Sequence, residues 1–312
     1  MAFPTETVYG LGANALNGDA VKRIFEAKGR PQDNPLIVHL ESPEKAEKFA
    51  YTSDLYYKLA KAFMPGPITI IIPKKDVLSE AVTAGLDSVG IRVPLYAPAR
   101  ELIKEAGVPV AAPSANISGK PSPTKAEHVI ADMDGRIEAI LCGDDCKVGV
   151  ESTVVKLTGE DSLVICRPGG ITEDMLKTVC GNVTIDPAVL SKFEGKPVSP
   201  GMKYRHYAPE ASVEILVGSA GQVGDFLADK TDFAVICYKD DTELQNKGKA
   251  FILGDESNSE EQASRLFACL RECDKDKSIK AIYARMPKKD GVGLAVYNRL
   301  IKAAGFKITE LK

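Results

Sequence analysis

Cations stand in this chain where an anion could be gripped. Lys28 and Arg30 flank Gly29. Cations beside a glycine can approach a triphosphate closely, and an arginine can hold two of its oxygens at once. The plainer alternative is two solvated charges at a helix C-terminus, favoured by the macrodipole. Thr5, Thr7, Tyr9 and Asn34 nearby tip the balance toward a site, because loop polar groups at this density often line one. Arg92 ends an otherwise apolar run, and a charge there needs a partner or a ligand. A substrate carboxylate would serve, and so would a structural ion pair. Ser114 and Asn116 follow the apolar run Val108 to Ala112, beyond the carboxyl end of a strand, where open α/β sheets bind ligands. They could donate to phosphate or ribose oxygens, or close a turn on their own backbone. Ser152 precedes one strand and Arg167 follows another. The set suits a pocket that holds a small polar substrate together with an anion.

Other chemistries fit poorly. Neither Ser114 nor Ser152 lies in a Gly-x-Ser-x-Gly elbow, and no histidine is placed as its base. The chain lacks a Gly-x4-Gly-Lys-Ser/Thr loop and a Gly-x-Gly-x-x-Gly helix start. Its three histidines, His39, His128 and His206, are too scattered for a histidine-based metal centre. His39 falls within a strand, in the manner of a satisfied core residue, and His128 is expected on a helix surface. Cys142/Cys146 and Cys269/Cys273 are each four apart with no histidine beside them. Seven cysteines in a large chain are read as buried apolar residues rather than a disulfide framework.

Alternating strands and helices must position these groups. Strands are expected at Leu36 to Leu40, Ile68 to Ile72, Ser88 to Val93, Val108 to Ala112, Glu138 to Leu141, Thr153 to Leu157 and Leu163 to Cys166. Between them lie helices at Ala20 to Ala27, capped by Asp19 and ended by Gly29, at Asp54 to Phe63 and at Ala97 to Ala106. Ser42 and Pro43 open another helix. Thr124 and Glu127 read as a capping box for a helix to Met133, and Thr172 caps one to Val179. After Val183 the period is lost until about residue 211, through Pro187, Pro197, Pro200 and Pro209. This reads as an ordered linker too aromatic and basic for a plain spacer. Then come strands at Val213 to Val217, Phe233 to Cys237, Ala250 to Leu253 and Ala281 to Ala284. Helices are expected at Val223 to Asp229, from a Ser259/Gln262 capping box to Cys273, and at Leu294 to Ala304. That alternation predicts a small, mostly parallel α/β domain.

The 312 residues are 44% hydrophobic and 27% charged, with formal net charge −3. This is the composition of an ordinary soluble globular protein. It counts against an RNA-binding module without catalysis, the competing class, whose affinity would come from a basic face and fall steeply with salt. No run is long and apolar enough to span a bilayer, and no signal peptide is evident, so the expected location is cytoplasmic.

Pro4-Thr-Glu-Thr-Val-Tyr-Gly-Leu-Gly12, Lys28-Gly-Arg-Pro31 with Asn34-Pro-Leu-Ile-Val-His39, Pro113-Ser-Ala-Asn116 and Glu151-Ser-Thr153 together resemble the motifs of the YrdC-like threonylcarbamoyl-AMP synthases. Pro200-Gly-Met-Lys-Tyr-Arg-His-Tyr-Ala-Pro209 and the last hundred residues resemble the long, two-domain branch. The resemblance implies a YrdC-like twisted mixed sheet with helices over 1–180, a linker over 181–211 and a smaller Rossmann-like α/β domain over 212–312. It implies a nucleotidyltransferase that turns L-threonine, bicarbonate and ATP into threonylcarbamoyl-AMP and pyrophosphate. A partner transferase would pass the threonylcarbamoyl group to tRNA beside the anticodon, with transient tRNA contact allowed. By the same resemblance Lys28 and Arg30 carry catalysis and bind the ATP phosphates, with Asn34, Ser114, Asn116, Ser122, Arg167 and His206. Thr5, Thr7, His39, Arg92, Ala112 and Ser152 hold threonine, with Arg92 on its carboxylate. Lys203, Tyr204, Arg205 and Tyr207 form a lid that restricts water, and Mg²⁺ rides on the phosphates rather than in a protein cage. Family members carry a helix and the start of a strand ahead of the segment matching Ala2-Phe3-Pro4. This chain starts with Met1 at that point, so an N-terminal element is expected to be missing.

Overall fold

Runs of β-branched residues and amphipathic helices alternate along the chain, and the described strands form an eight-stranded sheet, a five-stranded sheet and a two-stranded ribbon. The computed structural model describes residues 1–191 and 207–312. Within them, one compact unit takes in residues 1–118 and 123–191, and the other takes in 119–122 and 207–312.

The first unit holds β1 (Ala2–Phe3), β2 (Gly10–Leu11), β3 (Ala13–Asn14), β4 (Ile37–His39), β5 (Ile68–Pro73), β6 (Ser88–Arg92), β7 (Val110–Ala112), β8 (Thr153–Gly159), β9 (Ser162–Arg167) and β10 (Asn182–Ile185). β1 and β2 pair as a short ribbon, and the other eight form a mixed sheet in the order β10-β9-β8-β5-β6-β4-β7-β3. Successive side chains point to opposite faces. Val38, Ile70, Ile72, Val89, Ile91 and Val155 enter the main core. There they join Val21, Ile24 and Phe25 of helix Gly18–Lys28 and Leu55, Tyr56 and Leu59 of helix Asp54–Phe63. Ile37, His39, Thr69, Gly90 and Arg92 alternate with those core residues and so take the other face. A β-carbon on Gly90 would stand 2.9 Å from Thr69 Cγ2, so only glycine lets the neighbouring side chains close up there.

Several expected details shift. Asn17, not Asp19, caps helix Gly18–Lys28, accepting from the Asp19 and Ala20 N–H groups. Asp19 instead lies in the first turn, where its charge favours the dipole. Gly29 ends that helix at φ 60, as its lack of a β-carbon allows. The segment opened by Ser42 is a 3₁₀ turn, Pro43–Lys48. No Thr124/Glu127 capping box forms: Lys125 precedes helix Ala126–Met133 without a side-chain cap, and the Thr124 hydroxyl has no hydrogen-bond partner. His128, expected on the surface, is buried. Residues 138–141 make only one parallel bridge, Ala2 to Ile140, and no strand. β10 pairs in parallel with β9, so the sheet continues into residues expected to be linker. Six of the seven cysteines are buried and all are free, leaving Cys142 exposed.

The second unit contains β11 (Ser212–Val217), β12 (Phe233–Tyr238), β13 (Lys249–Gly254), β14 (Ala281–Arg285) and β15 (Ile308–Glu310). They form one sheet, order β13-β12-β14-β11-β15, in which every pair is parallel. The chain leaves β12 toward β13 and leaves β14 toward β15 on the other side, so the strand order reverses between β12 and β14. Helix Ala220–Phe226 starts three residues before the expected one, under a Ser219/Gln222 capping box. Asn258 rather than Ser259 caps helix Ser259–Lys275. The helix expected at 294–304 runs Gly293–Ala303.

Candidate active site

One end of the first sheet collects its polar residues. His39 pairs with Arg92 across β4 and β6, and with Val110 across β4 and β7. Thr69 pairs with Val154 across β5 and β8, and Val154 pairs with Arg167 across β8 and β9. β4, β6 and β9 end at this line, while β5 and β8 begin there. Backbone pairing therefore aligns residues that are far apart in sequence, with no need for flexible loops.

Arg92 is 4% exposed and donates through Nη2 to Glu6 Oε1 at 2.6 Å. Glu6 Oε2 accepts from the Leu95 N–H at 3.0 Å. The Arg92 Nε is buried and has no acceptor among the described residues. A buried donor without a partner costs about 1–3 kcal/mol, which a ligand oxygen would recover. His39 lies beside this pair, with Nδ1 3.2 Å from the Ile37 carbonyl. A carbonyl only accepts, so that nitrogen carries the proton. Burial pushes the His39 pKa down to about 3, and the Arg92 charge adds to the effect. The ring is therefore neutral near pH 7, and the ring of Phe3 meets it edge-on at 6.1 Å.

Ser152 is fully buried, 2.8 Å from the Thr69 hydroxyl. Arg167 donates to it twice, through Nη2 to Oγ at 3.1 Å and through Nε to its carbonyl at 3.0 Å. A serine bonded to a guanidinium has no base beside it to activate it as a nucleophile.

Lys28 anchors the neighbouring turn. It is 2% exposed and donates to the Ser114 carbonyl at 2.5 Å, the Asn116 carbonyl at 2.6 Å and Asn116 Oδ1 at 3.4 Å. Ser114 Oγ donates to Asn116 Oδ1, and Asn116 Nδ2 donates to the Ile117 carbonyl. The turn thus satisfies much of its own polarity, as the plainer reading of these residues foresaw. Backbone bonds from Leu11 to Pro113 and from Ala115 to Tyr9 stitch it to the N-terminal loop. In that loop Thr5 donates to the Val8 carbonyl and bonds Thr7, and both threonines are buried. Ala112 is buried in β7 opposite Ile37. Arg30, half-buried, donates to the Asn34 carbonyl at 3.3 Å. The Asn34 side chain is wholly buried, and neither its Oδ1 nor its Nδ2 has a partner.

Pairing and hydrogen bonds thus join Arg92 with His39, Ser152 with Arg167, Lys28 with Ser114 and Asn116, Arg30 with Asn34, and Thr5 with Thr7. Ser122 is fully buried but falls in the 119–122 segment of the second unit. Tyr207 is buried in that unit too, its ring 5.1 Å from Phe267. Lys203, Tyr204, Arg205 and His206 lie outside the described residues. Two residues escaped the sequence analysis. Glu6 was signalled only by the need of Arg92 for a partner, and Thr69 was hidden as one β-branched residue among four isoleucines.

The donors fit anions. Glu6 is committed to Arg92 and the Leu95 N–H, so it offers little to a cation. The residues gathered here offer donors to an anion rather than a carboxylate cage for Mg²⁺.

Comparison with known proteins agrees. Residues 1–169 match the family model of the Sua5, YciO and YrdC proteins, described as telomere recombination. Residues 171–305 match the model described as threonylcarbamoyl-AMP synthase, C-terminal domain. The threonylcarbamoyl-AMP synthase of Pyrococcus abyssi is 45% identical over 320 residues, covering 100% of this chain and 92% of that one. That of Bacillus subtilis is 46% identical over 314 residues, covering 99% and 90%. The crystal structure of P. abyssi Sua5 complexed with L-threonine matches with TM-score 0.93 at 44% identity, covering 100% of this chain and 92% of that one. This chain belongs to the threonylcarbamoyl-AMP synthase family.

Proposed function

We propose that this chain makes threonylcarbamoyl-AMP and pyrophosphate from L-threonine, bicarbonate and ATP. The observation that carries the reading is the incompletely paired Arg92 beside a neutral histidine, on a sheet face where the buried Ser152 hydroxyl meets both Thr69 and Arg167. Threonine is held by its carboxylate on Arg92, with Thr7, His39 and Ser152 around it and Thr5 and Ala112 completing the wall. Its amine attacks the carbon of bicarbonate and, with loss of water, gives an N-carboxylate. An oxygen of that group attacks the α-phosphorus of ATP, and the bond to the β-phosphate breaks to release pyrophosphate. Both reactants are anions, so screening and alignment dominate the barrier rather than proton transfer. Arg30 faces the phosphates with Asn34 and Arg167. Lys28 acts by holding Ser114 and Asn116 in shape and by lending its charge to the phosphate side. Mg²⁺ arriving with the nucleotide would neutralise part of the phosphate charge.

In this reading the product passes to a tRNA threonylcarbamoyl transferase and the reaction runs in the cytoplasm. Among the described residues no helix is long and apolar enough to cross a membrane. The test is pyrophosphate release with each of the three substrates omitted in turn, beside Lys28→Ala and Arg30→Ala. Release that needs all three and collapses in both variants supports the reading. RNA binding with a steep salt dependence and no turnover would replace it with a binding module.

A further inference from the structure

Glu6 lies between Thr5 and Thr7, the two threonines assigned to the substrate wall, yet its carboxylate is bonded to Arg92. We propose that Glu6 is a positioning residue for the threonine site, acting through Arg92; this rests on the reading of Arg92 as the partner of the substrate carboxylate. Both side chains are 5% exposed and meet at 2.6 Å. One carboxylate oxygen takes the Arg92 Nη2, and the other takes the Leu95 N–H at 3.0 Å. The Glu6 carbonyl accepts from the Val148 N–H at 2.8 Å. Glu6 thus ties together the N-terminal loop, the exit of β6 and the approach to Ser152.

The grip on Arg92 is partial, because Nε keeps no acceptor. A guanidinium has five donors in a fixed plane. Fixing one nitrogen sets that plane and leaves further donors for a carboxylate. The pair also balances the charge of Arg92 while the site is empty, which makes its burial tolerable. Substrate then meets a donor already oriented, and little reorganisation opposes binding. The consequence is selective: loss of Glu6 should weaken threonine and spare ATP.

The experiment measures pyrophosphate release by the full chain as wild type, Glu6→Gln, Arg92→Ala and the double variant. The expected result is a KM for threonine raised at least about tenfold in Glu6→Gln, with the KM for ATP within about twofold of wild type. In the Arg92→Ala background Glu6→Gln should add less than about twofold, because the two act as one unit. An unchanged threonine KM, an equal rise in both KM values, or full additivity would overturn the proposal. Should Glu6→Gln not fold, Glu6→Asp keeps the charge, shortens the reach and is judged by the same outcomes. A silent wild type would remove the functional reading, and this proposal with it. Failure in the variants alone removes only the role of Glu6.

Discussion

Two arginines, one in each unit, occupy the same kind of position and are treated differently. Arg92 is the last residue of β6 and Arg285 the last residue of β14. Both are buried or nearly so, and both meet a carboxylate, Glu6 at 2.6 Å and Asp241 at 2.5 Å. Arg285 has more. Glu256 joins at 3.3 Å, and the guanidinium lies over the Tyr238 ring at 5.0 Å. It also stands where the strand order of the second sheet reverses, the place where open α/β sheets commonly bind ligands. Topology alone would favour Arg285 as the binding group. The pairing of polar atoms favours Arg92, which meets one carboxylate where Arg285 meets two, and whose buried Nε has no acceptor among the described residues. A fully compensated charge locks a fold, whereas an incompletely compensated one leaves a donor for a ligand.

The largest effect should separate the two directly. Arg92→Ala should lower threonine-dependent pyrophosphate release at least about 100-fold. Arg285→Ala should stay within about threefold of wild type, with initial rates as the readout. Next, Arg285→Ala should cost the second unit about 3 kcal/mol in urea unfolding, because Asp241, 5% exposed, loses its main counter-charge. Comparable loss of turnover in both variants would dissolve the contrast. A smaller effect sharpens it: Asn34→Ala removes an amide that has no partner, so stability should hold or rise by about 1 kcal/mol. The same change should raise the KM for ATP about tenfold if that amide serves the nucleotide.

A separate effect is on pH. His39 has its pKa lowered to about 3 in the fold, against about 6.5 unfolded. The unfolded chain therefore binds the extra proton first as pH falls. The contribution of neutral His39 is fully present above about pH 6.5 and declines from there toward pH 3, by up to about 1.4 kcal/mol per unit. His39→Phe should flatten that part of the stability profile in urea titrations at stepped pH.

The strands and most helices were legible because their signals are local. Ile68 to Ile72 could be little other than a buried strand, and Gly29 a stop. Caps were less so, since Asn17 and Asp19, or Asn258 and Ser259, are neighbouring candidates and only the turn geometry decides between them. The burial of His128 depends on what packs against its helix, which no local period states. In the site, Arg92 announced its need for a partner, but Glu6 lies 86 residues away in the chain. The bonds of the Lys28 ammonium to the Ser114 and Asn116 carbonyls could not be read in advance, because only the fold brings those carbonyls near. The orphaned amide of Asn34 is likewise invisible until its surroundings are built.

Binding of threonine at Arg92 on the first sheet can be measured outright. Calorimetric titration of L-threonine into wild type, Arg92→Ala and Arg285→Ala tests it most directly. The account predicts binding to wild type and Arg285→Ala, with binding to Arg92→Ala weakened beyond detection. Binding kept by Arg92→Ala and lost from Arg285→Ala would contradict it.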